Sequence, residues 1–357
     1  MNCSRLALLW TLIGALTACA GTPKANIITR DGAGLALAGQ PFRFKGINIY
    51  NANSRDNCSY NMASGDTLGR SLDAIGAASQ NVFRAWFYQF LATNPNGTRD
   101  WAPFDHTLAV AAAHHQRVIA TLADQWGDCE SPPDQPSIYK SQAWYAAGYR
   151  ETRAPGQPSV YRAWAAEIVA RYKDDPTILA WQLMNEAEDA DERGGACAPS
   201  APSTLQAWAT DMSGLVKSLD RRHLLSVGTI GGGQCGSSGP DYVALHAVSD
   251  VDLCEYHDYA HIEEPLPGDV LNGLQTRVRQ CRALGKPLFV GEIGIETREA
   301  GSFEQRAALY DRKLAAQFEA GVAGVLLWAW VDGEHGGSSA GYDIGPSDPA
   351  LTALRRY

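Results

Sequence analysis

Ile178-Leu-Ala-Trp-Gln-Leu-Met-Asn-Glu186 is an apolar, strand-like run that ends on a carboxylate. Pro287-Leu-Phe-Val-Gly-Glu292 repeats that arrangement about a hundred residues later. Working outward, comparable β-rich runs lie at Phe44 to Ile49, Asn81 to Trp86, Val118 to Leu122, Ile178 to Met184, Leu224 to Gly228, Val251 to Tyr256, Leu288 to Gly291 and Gly324 to Trp330. Helical patterns separate them at Thr67 to Ala78, Phe104 to His115, Val160 to Lys173, Ser203 to Leu219, Asp269 to Leu284 and Ser302 to Ala320. Short strands alternating with crossover helices are the signature of a parallel sheet. Eight of them in one chain point to a single-domain (β/α)8 TIM barrel, in which catalytic groups gather at the C-terminal ends of the strands. No Gly-x-Gly-x-x-Gly follows the first run, which counts against a doubly wound sheet.

The polar residues fall where a barrel would use them. Arg84 lies in the second run, Gln125 and Trp126 follow the third, and Asn185 and Glu186 follow the fourth. His257 and Tyr259 close the sixth, Glu292 the seventh, and Trp328 and Trp330 the eighth. In a barrel these positions converge on one mouth. Two carboxylates facing each other across a cleft are the equipment of a glycosidase, one acting as acid and base and the other as nucleophile or base. Each residue also has an ordinary structural reading: a glutamate after a strand can cap a helix, Arg84 can be a structural ion pair, and His257 and Tyr259 can be packing residues. Trp126, Trp328 and Trp330 offer indole faces to sugar rings, and core packing is expected to account for at least one of them. Glu188, Asp189, Asp258, Asp332 and Glu334 are further candidates for contact with sugar hydroxyls. The long polar loops Cys58 to Asp66, Gly127 to Gln142, Glu188 to Pro202 and Asp332 to Tyr342 are expected to shape an open groove.

The chain has 357 residues and a net charge of −9, which argues against nucleic acid or anionic lipid as the main partner; a neutral polysaccharide would not be repelled. Arg5, the apolar stretch Leu6 to Leu16 and the ending Leu16-Thr17-Ala18-Cys19 read as an export signal, too short to span a bilayer. That ending resembles a bacterial lipobox. It implies residues 1–18 as signal peptide, Cys19 as the lipidated anchor to a membrane, 19–26 as tether and 27–357 as the catalytic domain. Ala20, in place of Asp, implies the outer membrane. With Cys3 and Cys19 set aside, six cysteines remain, and in an exported protein an even set is expected to form disulfides. Proximity in the proposed element order favours Cys58 with Cys129, Cys197 with Cys235 and Cys254 with Cys281. There is no CxxC pair, His-rich cluster or calcium loop, so no metal and no cofactor is expected; a monomer is.

Arg84 in the second run, Asn185-Glu186 after the fourth, His257-x-Tyr259 after the sixth and Glu292 after the seventh resemble the pattern of glycoside hydrolase family 5, a retaining (β/α)8 family. The resemblance runs from about Phe44 to Gly336. It implies Glu186 as acid and base, Glu292 as nucleophile, and Asn185 as the ligand of the hydroxyl beside the reacting carbon. Arg84 and Tyr259 would orient and ionise Glu292, His257 would contact Glu186 or substrate, and Trp328 would floor the subsite of the attacked sugar. Gln125-Trp126-x-Asp128 and Leu327-Trp328-Ala329-Trp330 are similar to segments of endo-β-1,4-mannanases. The chain departs from those enzymes in having Gln125 where asparagine is frequent, and in its Asn57-Cys58 and Asp128-Cys129 segments. Endo-β-1,4-glucanase, exo-β-mannosidase and β-glucosidase are the alternatives within the family. A non-catalytic carbohydrate-binding lipoprotein would be expected to lack one carboxylate, and a surface scaffold or adhesion lipoprotein would need none of the convergence.

Overall fold

A computed structural model describes residues 27–54, 64–76, 80–132, 135–333 and 341–357. The expected signal and tether, Cys19, Cys58 and Glu334 therefore lie outside the described residues. Eight parallel strands form the centre: β4 (Phe44–Asn48), β5 (Val82–Trp86), β6 (Arg117–Thr121), β7 (Ile178–Gln182), β8 (Leu224–Ser226), β9 (Cys254–Asp258), β10 (Leu288–Ile293) and β11 (Gly324–Leu327). Their order is β8-β7-β6-β5-β4-β11-β10-β9. A parallel bridge from Ser226 to Leu253 joins the two ends, with the N–H groups of Asp252 and Leu253 both donating to the Leu225 carbonyl. The sheet is thus a nearly closed (β/α)8 barrel, as the alternation of runs predicts. Both faces of every strand are buried, which is why the sequence shows continuous apolar runs instead of alternation.

Three short strands precede the barrel: β1 (Ile28–Asp31), β2 (Gly34–Leu37) and β3 (Gln40–Phe42), an antiparallel meander. Ile28 and Leu35 from it pack with Phe44, Val82, Ile119 and Leu179 in a core layer separate from the main one. These barrel residues lie at or near the starts of their strands, so the meander floors the N-terminal end. The meander leaves no clear mark in the sequence, because strands of three or four half-exposed residues carry little periodicity.

The six expected helices are present as Asp66–Gly76, Ala102–Ala113, Tyr161–Tyr172, Ala201–Leu219, Leu274–Ala283 and Phe303–Ala320. Two boundaries differ in an informative way. The sixth strand is displaced toward the mouth, because Glu255 and His257 carry it upward through a polar interior that satisfies them. The helix expected from Asp269 starts at Leu274, because the Asp269 carboxylate accepts bonds from the N–H groups of Leu271 and Asn272 and holds a turn there instead. Asp241–His246 and Ala350–Arg355 are additional short helices. The disulfides Cys197–Cys235 and Cys254–Cys281 form as expected, and Cys129 is also disulfide-bonded.

Candidate active site

Glu292 stands near the end of β10 between Gly291 and Gly294, and both glycines are required by close approach. A Cβ on Gly291 would meet the Glu255 carboxylate at 2.2 Å, and one on Gly294 would meet the Tyr259 ring at 2.1 Å. The space they leave lets Tyr259 Oη donate to Glu292 Oε2 at 2.5 Å while Arg84 Nη1 donates to Oε1 at 2.7 Å. Arg84 is fully buried in β5, and its remaining donors go to Gln182 Oε1 (2.7 Å), Asn48 Oδ1 (3.0 Å) and Asn185 Oδ1 (2.5 Å). A guanidinium held by four side chains has a fixed orientation, so the carboxylate it meets is fixed as well.

Glu186 lies just past β7 with φ +58, in the left-handed region that a side chain adopts at a cost of about 1–2 kcal/mol. Bonds on either side hold it there: Asn185 N–H donates to the Ala123 carbonyl at 2.7 Å and Ala187 N–H to that of Gly228 at 2.9 Å. The Glu186 carboxylate accepts from Trp126 Nε1 at 2.6 Å through Oε2, and its Oε1 faces His257 Nδ1 at 2.8 Å. One oxygen each of Glu186 and Glu292 and a ring nitrogen of His257 all lie within 4.8 Å of one another. So close an approach of the nearest oxygens suits the retaining arrangement, with carboxyls about 5–5.5 Å apart, better than the wider inverting one.

His257 faces carboxylates from both ring nitrogens, Glu186 at 2.8 Å and Glu255 at 3.2 Å, and only an imidazolium can donate to both. Burial acts to lower its pKa, but Glu292, Glu186 and Glu255 outweigh that and push it up to about 10. Burial likewise acts to raise the Glu186 carboxyl. The bond and charge of His257, with the Trp126 N–H, bring it below the ordinary range. At Glu292 burial and the neighbouring Glu186 prevail over His257 and Arg84, and the carboxyl is raised. With both ring nitrogens on carboxylates, His257 holds in the free site the proton that it shares with Glu186. Although this trio has the spacing of cation ligands, an imidazolium has no lone pair to offer, and Arg84 already neutralises Glu292.

The carboxylates open on a cleft of about 880 Å³. Trp328 stacks on Tyr50 at 5.1 Å between ring centres, and Trp86, which carries the Arg84 guanidinium on its face at 4.5 Å, adjoins both. Trp126 and Asn185 also line the cleft, and so does Asp124, whose carboxylate accepts from Asn185 Nδ2 at 2.8 Å. Other expected residues are elsewhere. Trp330 is fully buried in the main core and does not line the cleft. Asp258 turns away from the mouth to Lys313 and Gln317, Gln125 is buried against Tyr145 and the Lys140 carbonyl, and Glu188 is bonded to Tyr139. Asp189 is buried, and Asp332 pairs loosely with Arg70 at 3.8 Å. Asn48, Gln182 and Glu255 were not anticipated, yet they anchor Arg84 and His257. Their signal was a polar residue inside an otherwise apolar run.

Residues 35–334 match the family model for cellulases of glycosyl hydrolase family 5. The chain belongs to glycosyl hydrolase family 5. It is a glycosidase by that membership. The family 5 chain is 27% identical over 370 residues to mannan endo-1,4-beta-mannosidase 7 of rice, Oryza sativa subsp. japonica, covering 90% of this chain and 89% of the relative. It is 24% identical over 360 residues to mannan endo-1,4-beta-mannosidase A of Podospora anserina, covering 91% and 87%. In fold it superposes on the endo-1,4-beta-mannanase of Rhizomucor miehei with a TM-score of 0.67 and 19% identity, over 92% of this chain and 97% of that one.

Proposed function

We propose that the protein is a retaining endo-β-1,4-mannanase in which Glu292 is the nucleophile and Glu186 the acid and base. The observation that carries the assignment is the unequal surroundings of the two carboxylates. Glu292 is held by a guanidinium and a phenol that fix its attacking oxygens, whereas Glu186 shares its proton environment with an imidazolium. In the first step a Glu292 oxygen bonds to the anomeric carbon as the glycosidic C–O bond breaks, and Glu186 delivers a proton to the departing oxygen. His257 Nδ1, 2.8 Å from Glu186 Oε1, supplies the proton that makes Glu186 an acid. In the second step Glu186 takes a proton from water, whose oxygen displaces Glu292. Asn185, bound by Arg84 and Asp124, would meet the hydroxyl next to the reacting carbon, and Trp328 in the cleft wall would floor that sugar.

The mannan substrate is supported by the relatives' names and by the open cleft, which admits internal attack on a chain. The cellulase description of the family model favours β-1,4-glucan as the second reading. Reducing-sugar release from β-mannan, glucomannan, carboxymethyl cellulose and xylan decides between them. Activity on mannans lost in both Glu186→Gln and Glu292→Gln is expected; activity on cellulose alone would move the substrate. The protein acts as a monomer, with 27–357 as the catalytic domain, exported and anchored through lipid on Cys19. The disulfides are in keeping with an oxidising compartment. Detergent-phase partitioning of the full chain, lost in Cys19→Ser, is the expected sign of the anchor, and unchanged partitioning would refute it.

A further inference from the structure

Arg193 is an exposed arginine in the loop after β7, and its guanidinium lies over the Trp126 ring at 4.1 Å. Among the described residues no ion pair or hydrogen bond engages its N–H groups, although the chain carries a net charge of −9. It is also the one cation among the described residues lining the catalytic cleft. Its position is built. Ala190 and Cys197 pair as the ends of a small hairpin around it, the Asp189 N–H donates to the Cys235 carbonyl at 2.9 Å, and the Cys197–Cys235 disulfide locks the hairpin to the next strand's loop.

The cleft has two aromatic ends that differ in what they touch. Trp86, Tyr50 and Trp328 are tied through Arg84 to Glu292. Trp126 is tied directly to Glu186 through its 2.6 Å bond. The carboxyl that protonates the departing oxygen must lie beside the leaving sugar, so Trp126 and what covers it belong to the leaving-group side. With Arg193 over one indole face, a sugar arriving there meets forked N–H donors instead of a π cloud. Such donors match the paired hydroxyls of a pyranose.

Resting on the glycosidase reading, we infer that Arg193, held over Trp126 by the disulfide-locked hairpin, is a specificity residue that donates to hydroxyls of the leaving-group sugar. The test compares wild type, Arg193→Ala and Arg193→Lys on two substrates sharing the same retained disaccharide: a tetrasaccharide, whose leaving group is a sugar, and a 4-nitrophenyl disaccharide, whose leaving group has no sugar hydroxyls. Both are supplied in the manno and cello series, and the series that wild type cleaves is read. Arg193→Ala is expected to lower the ratio of kcat/KM on the tetrasaccharide to that on the aryl glycoside by about ten- to a hundredfold, the weight of one or two charge-assisted hydrogen bonds. Arg193→Lys should recover part of that ratio. A ratio within twofold of wild type in Arg193→Ala would overturn the inference while leaving the glycosidase reading intact. Wild type that cleaves neither series would overturn that reading, and the inference with it.

Discussion

At the residue scale, the roles of the two carboxylates are separable by chemistry. With an activated aryl glycoside, Glu186→Ala is expected to be rescued by azide with retention, yielding a β-glycosyl azide, because the covalent intermediate still forms and azide needs no base. Glu292→Ala with azide should give the α-glycosyl azide, since the anion then attacks directly from the vacated face; the same anomer from both variants would contradict the assignment. Removing Arg84 leaves Glu292 buried without its cation, so Arg84→Ala should destabilise the fold by about 3–5 kcal/mol, read by urea denaturation, besides lowering kcat. His257 has a folded pKa of about 10 against an ordinary value of 6.5. A group raised on folding contributes stability that is fully present below the unfolded pKa and is lost as pH rises through the folded one. Denaturation midpoints between pH 6 and 10.5 should therefore fall toward those of His257→Asn at the alkaline end, and a constant gap would contradict a cationic His257. Asn185, Glu186 and Tyr259 were legible because each follows a strand, His257 and Glu292 because each stands near a strand end, and Arg84 because it is a charge inside an apolar run. Asn48, Gln182 and Glu255 were not, because their partners come from strands far away in sequence, and only closure of the barrel brings them to Arg84 and His257.

At the element scale, all eight barrel strands were legible as apolar runs because both of their faces are buried, a pattern that does not depend on the partners. Periodicity failed where one short element serves another. The meander β1–β3 contributes only a few side chains to the floor, among them Ile28 and Leu35. Burial of an aliphatic side chain of that kind stabilises by roughly 1.5–3 kcal/mol, and Leu→Ala in a core costs about 2–5 kcal/mol. Leu35→Ala should lower the thermal midpoint measurably with KM unchanged, since the floor lies at the opposite end of the barrel from the carboxylates; a changed KM would contradict that separation. Asp258 was misread for a related reason. A strand-end carboxylate points to the mouth or to the surrounding helices according to one step of alternation, and here Lys313 and Gln317 on Phe303–Ala320 receive it.

At the scale of the whole molecule, the barrel collects groups from β4, β5, β7, β9 and β10 into one hydrogen-bonded cluster. Its balance of charge, the carboxylates of Glu186, Glu292 and Glu255 against Arg84 and His257, is a property of closure and of no single segment. That is why the sequence could place the carboxylates but not the site of the resting proton, which the packed neighbours determine. The proposed double displacement by Glu292 and Glu186 on a β-1,4-mannan chain fixes which anomer hydrolysis releases. Proton NMR of the anomeric region during the first minutes of mannopentaose hydrolysis reads that anomer. The new reducing ends are expected to appear as the β-anomer and to reach the equilibrium mixture only later by mutarotation. The α-anomer appearing first would mean single displacement and would refute a covalent role for Glu292.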